Sequence, residues 1–177
     1  MSNVIAIAID TTGLPHMAQR PDAYAAGWSP RIVSIGLASH DGAISAGLYI
    51  VQPKAHVLHP LSKGAMDFNG IALDSILAGT RLADAVKHVA YSLGPDGQLI
   101  GANAPFLQHF LAPLPIPPAA VDGMVDVLVL AGERVGKKRL SLDAAMAVFG
   151  LDPPEGDPDN RAHWRALCTL ALWRHLA

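Results

Sequence analysis

Ile5-Ala6-Ile7-Ala8-Ile9-Asp10-Thr11-Thr12-Gly13-Leu14-Pro15 is an apolar run that ends in a carboxylate, two hydroxyls, a glycine and a proline. The run predicts a buried strand that delivers Asp10 to an edge, with a turn immediately after it. Side chains alternate across a strand, so Ala8 and Asp10 point to the same face. Whatever chemistry Asp10 takes part in there, Ala8 cannot share it.

Outward from this strand, residues 14–30 form a polar loop punctuated by proline and glycine, and residues 31–39 return to a β-rich pattern. His40-Asp41-Gly42 predicts a hairpin, because Asp-Gly readily takes the positive φ of a tight turn, and residues 43–51 read as the return strand. These three strands form a meander. Short helices are expected near 61–66 and 73–77. Thr80 offers a cap for a helix over 81–93, where Leu82, Ala85, Val86, Val89, Ala90 and Leu93 recur at helical spacing before Gly94-Pro95 ends it. Residues 98–101 read as a short strand running into a helix over 106–111. The four prolines of 113–118 read as a helix terminator, and 124–130 as a strand feeding a helix. Ser141 caps a helix over 140–149 that Gly150 closes. A last helix spans 160–176, with the stripe Trp164, Leu167, Cys168, Ala171, Leu172 and His175 turned to the core and Arg161, Arg165 and Thr169 on an adjoining face.

With 177 residues, 51% hydrophobic and 16% charged, the chain is expected to form one globular domain over residues 1–177 and not a disordered or coiled-coil segment. Thirteen Lys and Arg stand against fifteen Asp and Glu, so no global basic field draws in a polyanion, and any nucleic-acid contact must be local. Cys168 is the lone cysteine, which excludes an internal disulfide and suits a reducing compartment. No signal peptide is recognisable, and no apolar run reaches the roughly 18 residues of a membrane helix. A soluble cytoplasmic protein with no membrane partner is the expectation.

Three segments, in order, resemble the motifs of the DnaQ-like DEDDh 3'-to-5' exonucleases. The family's D-x-E-T-T-G-L stands here as Ala8-Ile9-Asp10-Thr11-Thr12-Gly13-Leu14. Its V-G-H-N-A-x-F-D stands as Ile100-Gly101-Ala102-Asn103-Ala104-Pro105-Phe106-Leu107, and its H-R-A-x-x-D-A as Asn160-Arg161-Ala162-His163-Trp164-Arg165-Ala166. The resemblance implies an α/β, RNase H-like fold: a mixed central sheet with an N-terminal three-stranded meander, flanked by helices. It also implies substrate contacts from Thr11, Thr12, Gly13, Leu14, Asn103 and Phe106. Arg161 and Arg165 are expected to meet a phosphate without a metal.

The family's reaction uses two Mg or Mn ions held by four carboxylates, with a histidine as general base. Of those five positions only Asp10 keeps an acid, as a remnant catalytic residue. The others are Ala8, Leu107, Asn160 and Arg165. One carboxylate cannot hold and neutralise two hard cations, and a permanently charged guanidinium repels them. No metal or other cofactor is therefore expected. Arg165 is expected instead to pair with Asp10 across the former metal site.

Three functions remain open. The first is an inactive exonuclease-like domain that keeps a groove for a nucleotide or a single-stranded nucleic-acid end. The second is a protein-interaction or homodimerisation module. The third is a nuclease with relocated ligands, for which His163, Asp67, Asp122, Asp126, Asp157 and Asp159 are the candidates. His56 and His59 resemble a metal pair but lack a third ligand.

Overall fold

The structure is a computed structural model describing residues 3–25, 27–155 and 160–177. In chain order the elements are β1 (Val4–Thr11), a 3₁₀ turn (Pro15–Gln19), α1 (Pro21–Ala25), β2 (Ile32–Ser39), β3 (Ser45–Tyr49), α2 (Lys54–Val57), α3 (Pro60–Asn69), α4 (Leu73–Leu77) and α5 (Leu82–Leu93). There follow β4 (Gln98–Gly101), α6 (Ala104–Leu111), α7 (Pro118–Asp122), β5 (Val125–Asp126), α8 (Val127–Arg134), α9 (Leu142–Val148) and α10 (Arg161–Leu176). The five strands form one mixed sheet in the order β3-β2-β1-β4-β5. The meander β1-β2-β3 is antiparallel, while β1-β4 and β4-β5 are parallel. This is the α/β arrangement the sequence predicts.

The two faces of β1 differ in residue size, and that difference positions the site. Ile5, Ile7 and Ile9 belong to a core with Ile35, Leu37, Val86, Val89, Leu107 and Leu111. On the opposite face Ala6 lies beside Ala38 and Ala8 beside Gly36, and Asp10 beside Ser34 completes the row. These small residues let α10 approach the sheet closely. A Cβ added to Gly36 would overlap the backbone of Ala162 and His163 in the first turn of α10. Ala8 is thus part of a flat seat for a helix.

Several boundaries differ from the sequence expectations. The return strand is only Ser45–Tyr49; it starts late because the Asp41 carboxylate accepts from Ala43 N and Ser39 Oγ and holds a wider turn, with Gly42 at φ +76°. Thr80 does not cap α5. Its N–H donates to Tyr49 O and its carbonyl accepts from Val51 N, so the helix starts at Leu82 behind Arg81. Residues 14–30 contain two short helical turns within the expected loop, and α3 is longer than 61–66.

Ser141 does cap its helix, accepting from Ala144 N, and Asn160, expected only as the start of the last helix, caps α10 by accepting from His163 N. The buried set on α10, however, is Ala162, Ala166, Cys168, Thr169, Leu170, Leu172 and Leu176; Trp164, Leu167 and Ala171 are half-buried and His175 is exposed. Because α10 is covered by the sheet and by α8 and α9, small residues carry part of its burial, and a stripe of large apolar residues misses them. Cys168 lies inside this packing, which pushes its thiol up to about 11. Among the described residues no helix is long and apolar enough to cross a membrane.

Candidate functional site

At the end of β1 the register with β2 slips between Asp10 and Thr11, and the chain turns out of the sheet. Thr11 Oγ1 donates to Gly13 O at 2.7 Å, closing the turn on itself. Thr12 is fully buried and faces away from the turn: its Oγ1 accepts from Arg31 N at 2.9 Å and lies 3.1 Å from His56 Nε2. Gly13 is needed because a Cβ there would sit 2.7 Å from Trp28 Cη2. Trp28 itself is fixed by stacking on His56 and His59, with centroids 6.1 and 5.8 Å away, and by donating Nε1–H to Ser62 Oγ at 2.7 Å. The His56 pKa is lowered to about 4 by burial first, then by the charges of Arg31 and His59, so the ring is neutral near pH 7. The two histidines are therefore packing partners of Trp28.

The turn forms one wall of a cleft of about 450 Å³. Ile9, Asp10, Thr11, Gly13, Leu14 and Met17 line it from the β1 side, and Phe106 and Arg165 close it from α6 and α10. The facing wall is α3, through Pro60, Leu61, Gly64, Ala65, Phe68 and Asn69. Leu14 is half-exposed and Phe68 is 78% exposed at the rim. Of the expected substrate contacts, Thr11, Gly13, Leu14, Phe106 and Arg165 line this cleft.

Thr12, Asn103 and Arg161 lie outside the lining. Thr12 is turned to His56. Asn103 takes a left-handed conformation at the start of α6, where its N–H and that of Ala104 point to the Asp126 carboxylate at 3.3 and 3.0 Å. Arg161 reaches instead to α3, donating Nη1–H to Phe68 O at 3.3 Å with its guanidinium 5.6 Å from the Phe68 ring centre. The α3 wall is the part that sequence reading missed, although the apolar Leu61, Ala65 and Phe68 at i, i+4 and i+7 carry its signal.

Arg165 Nη1 donates to Asp10 Oδ1 at 2.8 Å, so the expected ion pair is present on the floor of the cleft. The Asp10 side chain is 1% exposed and that of Arg165 is 29% exposed. Burial raises the Asp10 pKa, while Arg165, then Arg161 and the Ala162 N–H, draw it back. Burial likewise lowers the Arg165 pKa against the attraction of Asp10. On both partners desolvation outweighs the Coulomb gain, and among the described residues Asp10 Oδ2 has no hydrogen-bond partner of good geometry. The pair thus satisfies a buried charge more than it stabilises the fold.

These residues do not fit a pair of divalent ions. Ala8 and Leu107 are buried in apolar packing without donor atoms. Asn160 is 1% exposed, with Oδ1 accepting from Ser34 Oγ and His163 N, and is committed to the cap of α10. Asp10 is already paired with a cation that would oppose a metal. The alternative ligands within the described residues are dispersed. Asp126 accepts from Asn103 N, Ala104 N and Leu128 N, Asp67 pairs with Lys63, His163 Nε2 meets Ser45 Oγ, and Asp122 is exposed at the end of α7. Asp157 and Asp159 lie outside the described residues. Among the described residues no group of three or more His, Cys, Asp or Glu side chains is placed to hold a metal ion.

No sequence family matches the chain, and no curated protein matches it. Solved structures do. A 3'-exonuclease described in 3'-end specific recognition of histone mRNA stem-loop aligns with TM-score 0.70 and 15% identity, over 99% of this chain and 63% of that one. E. coli Exonuclease I in complex with a dT13 oligonucleotide aligns with TM-score 0.63 and 15% identity, over 99% of this chain and 41% of that one. The nuclease domain of 3'hExo, a DEDDh family member bound to rAMP, aligns with TM-score 0.60 and 12% identity, over 98% of this chain and 92% of that one. The chain spans less than two thirds of the first two proteins. At these identities the likeness concerns the fold, and the chain carries the RNase H-like fold of the DnaQ-like 3'-exonucleases.

Proposed function

We propose that this protein binds a nucleotide or the end of a single nucleic-acid strand in the cleft beside Asp10 and does not hydrolyse it. The observation that carries this reading is the 2.8 Å contact between Arg165 and Asp10 on the floor of a cleft whose remaining lining is largely apolar. The cleft volume lies within the range of small-ligand sites. Proteins of the same fold supply further support, having been captured with an oligonucleotide or with rAMP. The near balance of charges argues for a short ligand over a long strand. A cytoplasmic setting belongs to the same proposal, supported by the single, buried Cys168.

The test incubates end-labelled single-stranded DNA and RNA with the protein and Mg²⁺ or Mn²⁺, beside an Asp10→Ala control, and measures binding of nucleoside monophosphates in parallel. Saturable binding without shortening is the expected result. Shortening that vanishes in the control would overturn the reading of inactivity. The exposure of Phe68 and Leu14 at the rim favours a second reading, a docking or homodimerisation surface, which gains if no nucleotide binds.

A further inference from the structure

Resting on the nucleotide reading above, we infer that Arg165 is the group that takes a ligand phosphate, so that phosphate recognition in this cleft needs no divalent ion. The two arginines at the start of α10 have different work. Arg161 ties the first turn of α10 to the end of α3 through Phe68 and lies outside the cleft. Arg165 follows one turn later and is the sole cation among the described lining residues.

A guanidinium offers five N–H donors in a planar fork. Among the described residues Asp10 accepts one of them, at 2.8 Å, and so limits the rotation of the group. Among the described residues no other hydrogen-bond partner of the guanidinium is seen, and the group lines the cleft with 29% of its side chain exposed. Because the arginine is already held, an incoming phosphate gives up little further side-chain entropy, and its oxygens meet a charge that cannot be lost near neutral pH. The same contact that excludes a metal from Asp10 therefore supplies a substitute cation.

The surrounding charges set the size of the effect. Arg161 acts on Asp10, and Asp143 in the first turn of α9 acts on Arg165. Two arginines against two carboxylates leave no net charge to draw a phosphate from a distance, so the gain comes from short charge-assisted hydrogen bonds. A phosphate advantage of about tenfold is expected.

The experiment titrates the protein calorimetrically with adenosine and with adenosine 5'-monophosphate, in EDTA and again with Mg²⁺. It is repeated on an Asp10→Asn, Arg165→Met double variant, which removes both charges together and is checked for folding by circular dichroism. The expected result is a monophosphate that binds about tenfold more tightly than adenosine in EDTA, a ratio unchanged by Mg²⁺, and an advantage lost in the double variant. Equal binding in EDTA, an advantage that appears only with Mg²⁺, or one that survives in the double variant would each overturn the role of Arg165 while leaving a nucleoside-binding cleft in place. Binding of neither ligand would overturn both. The metal comparison uses the unaltered protein, so a phosphate advantage that is absent in EDTA overturns the proposal even where the double variant does not fold.

Discussion

Asp10 is a carboxylate whose burial is tolerated because one arginine has come to meet it. Its folded pKa is raised above the ordinary 3.8. Within the window between those values the folded state holds more protons than the unfolded state, so this group's contribution to stability falls as pH rises through the window. An Arg165→Met substitution removes the main opposing charge and raises the Asp10 pKa further. The variant should lose about 2–3 kcal/mol at pH 7, less than a fully buried pair because Arg165 is partly exposed. That loss should shrink as pH falls through the raised pKa, since a protonated Asp10 needs no counter-charge. Urea unfolding at pH 7 and pH 4.5 measures it, and an equal loss at both values would place the effect elsewhere. The pair itself was legible in the sequence only through the motif resemblance, because nothing local links positions separated by 155 residues.

At the scale of elements, the seating of α10 on β1 and β2 brings Arg165 to Asp10. The seat is the small-residue row Ala6, Ala38, Ala8 and Gly36, and Gly36 is the tightest point. A Gly36→Ala substitution should push the first turn of α10 off the sheet and destabilise the protein by about 3 kcal/mol or more, because the Cβ meets backbone that cannot rotate away. Gly64→Ala, within α3, should have the opposite sign: a Cβ there meets nothing within 4 Å among the described residues, and the gain in helix propensity is about 0.5–1 kcal/mol. Thermal denaturation of the two variants gives the comparison. A Gly36→Ala protein as stable as the parent would contradict the close seating of the helix.

Across the whole molecule, the strand-to-turn geometry of the cleft depends on elements far apart in sequence. Trp28 stands behind Gly13, and His56, His59 and Ser62 from α2, α3 and their junction hold the indole in place. The folded pKa of His56, about 4, lies below its ordinary 6.5. The folded state therefore binds fewer protons in that window, and the stability His56 contributes is complete above pH 6.5 and is lost as pH falls towards 4. This slope opposes that of Asp10. With its partly exposed ring, the effect is on the order of 1 kcal/mol. An NMR titration should find the His56 ring still neutral at pH 5.5, and a His56→Gln variant should have a flatter stability profile between pH 6.5 and 4. Titration of His56 near 6.5 would show that the Trp28 stack does not shield it.

The sequence by itself determined the strand meander, the cap at Ser141, the C-terminal ends of α5 and α9, and the loss of donor atoms at Ala8 and Leu107. Each of these is written within a few consecutive residues, as an alternation, a helical spacing, a turn dipeptide or a missing functional group. Tertiary structure alone decided that α3 forms the facing wall of the cleft, that Thr12 and Asn103 turn away from it, and that His56 and His59 serve Trp28. It also decided which face of α10 is buried. Those outcomes depend on close approach between distant segments, where an alanine or a glycine matters for the space it leaves empty, and hydrophobic periodicity does not record empty space.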